Sequence, residues 1–529
     1  VYIGSLLRPI RYFPLLLVLF FLVTTIPFRS HFPINWDASQ FVLGVRHFSP
    51  PMHQPHPPGY PLFIGLARIV NWTIDSQHFS VLTVTWIFGL GAVLALYGMG
   101  VFLWKAHWAA FLSALGFLLN PLFWYYRETA LTYTVDAFAT LAVGGLSYAA
   151  LQNPRLQYHA AVALGLLAGV RPSVALLLAP LVFFPSILKK RYRLGLNAFL
   201  LLVVSILVWL IPLVALSGGF FEFLKAAGGL AESAARGTSM PFAGIGPVRQ
   251  QTAAIIDLMF ASCNLMLAAA LGGACLLFRD LFQRGRLLAG LAFIAFWVAP
   301  PLLVFVFIHL GQSGYLLVLI PIVYVLTGRL WVQVLSMRGW AKVAGLAALT
   351  GALLVHGLPF LFLAPLHSRM GVPLQSDAPR MNAFVSQYSA QVIRQNDLKI
   401  ASMTEIIRSH PATRTLVITA PLLASRTDSA FDPQPDVFRA LGTTCPEYAI
   451  FHVTPHLLLL RDSRTVLLSS PVTIRKGGST LVLLVDEIPA QFLPKGVRIA
   501  QKSRPISYFV GFAEGEFEFL GIRFQPAKE

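Results

Sequence analysis

Two stretches of this chain set acids and bases among residues that offer them little other polar company. The first, NWDASQFVLGVRHFSPPMHQPHPPGYPLFIGLARI from Asn35 to Ile69, carries Trp36, Asp37, Arg46, His53 and His56. The second, LNPLFWYYRETALTYTVDAFATLA from Leu119 to Ala142, carries Arg127, Glu128 and Asp136 beside Trp124, Tyr125 and Tyr126. Arg171 follows in GLLAGVRPSVALLLAP, and His309, Gln312 and Tyr315 in FIHLGQSGYLLVLIP. A carboxylate that is ionised yet shielded from bulk water can act as a general base. A leaving phosphate is already a stable anion and asks for cations rather than a proton, unlike the alkoxide that makes glycosidases carry two carboxyls. Aromatic faces suit a sugar ring. These groups together suit transfer of a sugar from phosphate to an acceptor hydroxyl, with one base and inversion at the anomeric carbon.

Each residue also has a plainer use. Asp37 can N-cap the ASQFVLGVRHF helix, and Asp136 can serve the amino end of its own helix as cap or dipole partner. Arg127 and Glu128 can simply pair with each other, and the tyrosines can form an interfacial belt. Arg171 needs an anion, for which a lipid headgroup, a carboxylate such as Asp136 and a substrate phosphate all qualify. His56 and His309 can be packing or capping residues.

The elements that position these groups follow from composition. At 56% hydrophobic and 12% charged over 529 residues, the chain carries about half the charge of a soluble protein and belongs largely in lipid. Apolar stretches long enough to span recur, and about eleven are read near 12–28, 80–104, 107–123, 136–151, 157–170, 173–188, 195–217, 252–278, 287–309, 313–328 and 340–363. TTIPFRS offers no small-x-small cleavage site, so the first helix is expected to be retained. A cytoplasmic amino terminus puts the KKRYR cluster at 189–193 inside with most other Lys and Arg, as the positive-inside bias requires. PLFIGLARIV at 61–70 is then an interfacial helix, too short to span. Of the acids before residue 365, only Asp280 falls on the inner side. The formal charge of +18 reads as loop bias, and no nucleic-acid partner is expected.

The fold class expected is a polytopic α-helical membrane protein with outer interfacial helices, followed by a smaller α/β outer-face domain. Its transmembrane part is 1–364, with 29–79 as the first outer loop, and its soluble part is 365–529. There the apolar runs shorten to TLVITA, YAIFHV, HLLLLRD, TVLLSS, STLVLLVDE, YFVGFA and FEFLGIRF, which read as strands. Helices are read near 378–396 and 401–410. No Walker A, Rossmann glycine pattern or Asp-x-Asp pair is present, so a lid, acceptor-docking or stabilising role is expected. Three cysteines, Cys263, Cys275 and Cys445, draw neither a disulfide framework nor a metal pattern.

W-D-x-x-x-F at Trp36 to Phe41, followed about twenty residues on by H-P-P-G-Y-P-L at His56 to Leu62, resembles the GT-C superfamily, which includes protein O-mannosyltransferases and lipid A aminoarabinose transferases. The resemblance covers roughly residues 1 to 360, is weaker over GLLAGVRPS and GQSGYLLVLIP, and is absent beyond. It implies a multi-pass protein of the inner membrane that takes sugar from a polyprenyl-phosphate carrier at the outer face. The acceptor would be a lipid, a glycan or a protein. It makes Asp37 the counterpart of the family's first-loop catalytic acid and Asp136 that of a second. Arg46, Arg127, Arg171 and His56 would then surround the donor phosphate, with Trp36, Tyr126, Glu128, His309, Gln312 and Tyr315 around the substrate. Some relatives bind a divalent metal, but His53, Gln54 and His56 make too loose a pattern to assign one. Two departures stand out: Gln40 replaces a Glu common in the related branch, and the Asp-Glu pair of the mannosyltransferases is missing after Asp37. A transferase of the O-antigen-ligase type, using a diphosphate-linked glycan, would instead rely on late-loop cations such as Lys225, Arg236 and Arg249. A lipid-sugar flippase would string ionisable groups across the membrane, whereas here the acids crowd to one face.

Overall fold

The computed structural model describes residues 12–362, 388–419, 434–453, 457–459, 465–467, 472–476, 480–484, 498–502, 508–512, 517–519 and 522–526. Its contacts divide the chain into two units, one of residues 1–29 with 57–393 and one of residues 30–56 with 394–529. The cuts thus fall at 29/30, 56/57 and 393/394 rather than at 364/365, and most of the first outer loop groups with the carboxy-terminal part.

The first unit is helical: α1 Phe13–Thr25, α3 Pro61–Ile74, α4 Gln77–Trp104, α5 His107–Leu118, α6 Pro121–Arg127, α7 Tyr133–Ala149, α8 Leu156–Val170, α9 Ser173–Leu188 and α10 Tyr192–Leu216. It continues with α11 Phe220–Thr238, α12 Met240–Ala243, α13 Ile245–Gln283, α14 Leu287–Phe307, α15 Ile320–Ser336, α16 Gly339–His356 and α17 Leu358–Phe362. Among the described residues, six helices are long and apolar enough to cross a membrane, and α5 with α6, bent by 66°, makes a seventh broken span. Shorter apolar helices include α1, α3, α8 and α9. The chain is a multi-pass membrane protein. α3 is a short apolar helix, as expected, but it runs past Asn71 to end at a left-handed Asp75.

α10 illustrates how the sequence sorts its faces. Ala198, Leu202, Ser205, Trp209 and Leu213 are buried, while Leu196, Leu200, Val204, Leu207 and Ile211 lie exposed at the same helical spacing. Such a stripe of exposed aliphatics is what lipid tails cover. Close approach of helices relies on small residues: a Cβ at Gly273 of α13 would collide with the backbone carbonyl of Leu326 on α15.

α13 is broken at Asn264 (φ 36°, ψ −123°). A break in a membrane helix frees backbone groups that lipid cannot satisfy. Here Asn120 donates to the Ser262 carbonyl at 2.8 Å and to the Tyr324 hydroxyl at 2.9 Å. The Tyr324 hydroxyl meets His356 Nε2 at 2.6 Å, and His356 Nδ1 meets Asn264 Oδ1 at 2.8 Å. Asn120 Oδ1 also accepts from the Phe123 amide, capping α6.

The second unit contains α2 Trp36–Arg46, α18 Ala390–Arg408, which enters it at residue 394, and α19 Gln434–Thr444. α18 continues through both helices read from the sequence; 378–387 lie outside the described residues. Ten strands follow: β1 Thr415–Thr419, β2 Ala449–Val453, β3 Leu457–Leu459, β4 Thr465–Leu467, β5 Val472–Lys476, β6 Thr480–Leu484, β7 Arg498–Lys502, β8 Tyr508–Phe512, β9 Phe517–Phe519 and β10 Ile522–Pro526. Seven form a mixed sheet ordered β4-β3-β2-β1-β6-β8-β7, with β1 parallel to both β2 and β6. β5, β10 and β9 form a second sheet. Ile400, Met403, Ile407, Val417, Phe438, Leu441, Ile450 and Val482 build one core, and Phe32 from the early segment packs against it.

Candidate active site

The early segment of the second unit begins with two backbone donors fixed by a distant carboxylate. Asp397 accepts from the amides of His31 at 2.9 Å and Phe32 at 3.1 Å, and Nδ1 of His31 lies 3.1 Å from the same group. Burial pushes Asp397 above its usual carboxylate value, and these bonds from His31 and Phe32 oppose that shift. The chain then enters α2 through Asn35, whose Oδ1 accepts from the Ala38 amide at 2.9 Å. Asn35 is therefore the N-cap. The capping role that the sequence allowed to Asp37 belongs to its neighbour, and Asp37 stands in the first helical turn, where the helix dipole favours a negative charge.

Asp37 is partly exposed, its side chain at 27%, and its Oδ1 lies 3.7 Å from Nδ1 of His56, an ion pair whenever that imidazole is protonated. The same Nδ1 is 2.9 Å from Oε1 of the fully buried Gln40. An amide oxygen only accepts, so this nitrogen carries the hydrogen. Gln40, three positions along α2 from Asp37, thus sets the tautomer and direction of His56, and the Phe41 ring flanks the imidazole at 5.4 Å. Burial, then His56 and Arg439, hold the His53 imidazole below its usual value, against the opposing pull of Asp37. His53 is the left-handed cap of a short turn at Pro50–Met52. Arg46 is exposed in the last turn of α2. The guanidinium of Arg439, on α19, lies 4.3 Å from the centre of the Trp36 ring. The sequence reading did not single out Arg439, which stands on α19 far along the chain from Trp36.

The second cluster lies within the first unit. Asp136, one turn into α7, accepts from Arg171 Nε through both carboxylate oxygens at 2.7 Å, and Arg171 Nη1 donates to Thr132 Oγ1 at 2.6 Å. Nη2 carries no hydrogen bond among the described residues. Rings of Tyr133 and Tyr315 stand 4.3 and 5.2 Å from the guanidinium. Of the anions open to Arg171, the structure supplies the carboxylate. Tyr126 meets Ser313 Oγ at 3.2 Å and stacks at a tilt on Tyr133, 4.6 Å away. His309 meets Thr238 Oγ1 through Nδ1 at 2.9 Å, and burial lowers its pKa. Gln312 is half-buried at the entry to the Ser313–Val318 turn that carries Tyr315.

Arg127 and Glu128, expected at the donor phosphate and the substrate, form a buried pair with each other. Both are fully buried. Arg127 Nε donates to Glu128 at 3.0 Å, Nη1 to the Leu118 carbonyl at 3.0 Å, and Nη2 to Thr24 Oγ1 at 2.8 Å and its carbonyl at 3.2 Å. Trp124 and Phe21 cover the guanidinium at 5.1 Å each. The pair locks α1 to α6, with no exposed face for a ligand. Trp124, Tyr125 and Tyr126 are likewise buried rather than arrayed as an open sugar platform.

Lys225 and Arg249 are exposed, and Arg236 pairs with Glu232 one turn before it on α11. Among the described residues no three of His, Cys, Asp or Glu converge as a ligand set. Asp37 and His56 alone do not make a donor set for a divalent metal.

These features define a polytopic α-helical membrane fold with an α/β unit. The same fold occurs in ArnT from Cupriavidus metallidurans. Its crystal structure bound to undecaprenyl phosphate matches at TM-score 0.54 and 12% identity over 94% of this chain and 97% of that one. The apo structure matches at 0.55 and 14% over the same shares. At such identity the likeness is one of fold. A protein O-mannosyl-transferase, tmem260, from Dictyostelium discoideum is 31% identical over 121 residues, 21% of this chain and 14% of that protein's length. No protein-family model matches the chain.

Proposed function

We propose that this protein is an inverting membrane glycosyltransferase that moves a sugar from a polyprenyl-phosphate donor to an acceptor hydroxyl at the outer face of the membrane. The observation that carries this reading is the state of Asp37: a first-turn carboxylate, relieved of capping by Asn35, partly exposed, and 3.7 Å from an imidazole that Gln40 orients. Asp37 takes the proton of the acceptor hydroxyl as its oxygen attacks the anomeric carbon; the bond from that carbon to the donor phosphate breaks, and the phosphate leaves with the electron pair. Cations on the same unit as Asp37, Arg46 and protonated His56, stabilise the charge it gains. Asp136 acts by holding Arg171. Support for the donor class comes from the shared fold with a protein crystallised with undecaprenyl phosphate. The partial match to an O-mannosyl-transferase supports a transferase.

Asp37→Asn keeps the helix and its cap but removes the base. Transfer from purified polyprenyl-phosphate sugar in nanodiscs is expected to fall by about 10²–10⁴-fold. Activity within about tenfold of the parent protein overturns the assignment.

A further inference from the structure

A cavity lies well away from the Asp136–Arg171 cluster, at the other end of α7. Tyr148 lines it, twelve residues beyond Asp136 and so about 18 Å along the helix. The cavity measures about 390 Å³ and is enclosed by the ends of α4 and α13, the start of α14 and the middle of α15. Its floor is apolar, with Phe293 and Trp297 buried, while Lys105, Arg284 and Arg286 are exposed at its edge. Arg329 also lines it and is committed to Asp280, to which its Nε donates at 2.7 Å and beside which its Nη2 lies at 2.7 Å in an ion pair. Four cations against the one carboxylate leave three positive charges around a cavity whose depth is hydrocarbon. Arg284 and Arg286 form no ion pair among the described residues.

The turn that bears these two arginines is closed by Gly285 in the left-handed region (φ 63°) and flanked by Phe282 and Leu288, exposed at 72% and 76%. Apolar side chains that stand out on both sides of a cationic turn belong at the boundary between headgroups and tails. A soluble anion would use the cations but neither the apolar floor nor this setting. We propose that the cavity is a binding site for an anionic phospholipid, with its phosphate between Arg284, Arg286 and Lys105 and an acyl chain against Phe293 and Ile294. The site is separate from the transfer chemistry and stands whether or not that reading holds.

The test uses the full chain, delipidated in detergent and titrated with phosphatidylglycerol or phosphatidylcholine while bound lipid is counted by native mass spectrometry. One phosphatidylglycerol should be retained in preference to phosphatidylcholine. Arg284→Gln with Arg286→Gln should weaken it on the order of tenfold or more, and Arg284→Lys with Arg286→Lys should restore most of it. Both arginines are exposed, so unchanged thermal unfolding of the Gln variant separates lost binding from lost fold. Equal retention of the two lipids, or no change in the Gln variant, overturns the proposal. So does displacement of phosphatidylglycerol by millimolar inorganic phosphate, which marks a site for a free anion.

Discussion

Arg171 and Asp136 are each other's solvent. Their two-oxygen contact, with Thr132 on a second guanidinium nitrogen and tyrosine faces on either side, replaces the water that both charges lose. Such a pair is costly to break and cheap to replace whole. Asp136→Asn should therefore lower stability by about 3–5 kcal/mol, read as thermal unfolding in detergent, because the guanidinium stays buried without its counter-charge. Asp136→Leu combined with Arg171→Met should recover most of that loss; a double variant as unstable as the single one sinks the account. The sequence told that Arg171 needs an anion and left open which. It also named Asp37 as a possible cap, since Asn and Asp cap almost equally well; only the start of α2 two residues earlier, at Trp36, decides for Asn35. Arg127 and Glu128 looked alike in sequence to site residues because burial of a neighbouring pair leaves no mark in local pattern.

Helices were the legible level. The apolar runs gave α4, α8, α9, α10 and α14 within a few residues, because a hydrocarbon solvent enforces length and composition. Two breaks were not legible. The bend between α5 and α6 follows Asn120-Pro121, and the kink of α13 falls at Asn264 inside what reads as one span. Both are also held from far along the chain: Asn120 serves a carbonyl 142 residues away, at Ser262, and His356 reaches Asn264 across 92. Removing that support has a measurable cost. Asn120→Ala loses the α6 cap and leaves the buried Ser262 carbonyl without its donor, so a loss of roughly 2–4 kcal/mol is expected. Unfolding free energy within about 0.5 kcal/mol of the parent, the scatter of surface changes, would show that the network is idle. In the second unit, the strands missed from sequence were VTIRK and RIAQK, both at sheet edges. Edge strands carry charge to discourage further pairing, and charge hides them from an apolar search.

At the scale of the molecule, the division of the chain departs furthest from what composition suggests. Composition changes near residue 365, whereas the contacts group residues 30–56 with 394–529. No local signal announces that Phe32 will enter a core built around Val417 and Phe438, or that Asp397 will hold the amides of His31 and Phe32. Asp397→Ala should loosen this attachment selectively. Hydrogen exchange in 30–46 is expected to rise by about tenfold or more, the equivalent of one hydrogen bond to a charged group, while α4 and α7 keep their protection. Uniform change across all three would place the effect elsewhere.

His31 and Asp397 are 366 residues apart, and a ribosome makes them in that order. The nascent chain must thread every intervening span before the surface that α2 packs on exists. Truncation ahead of α19 would therefore leave Trp36 without Arg439 and Phe32 without its core, silencing the early loop without altering one of its residues.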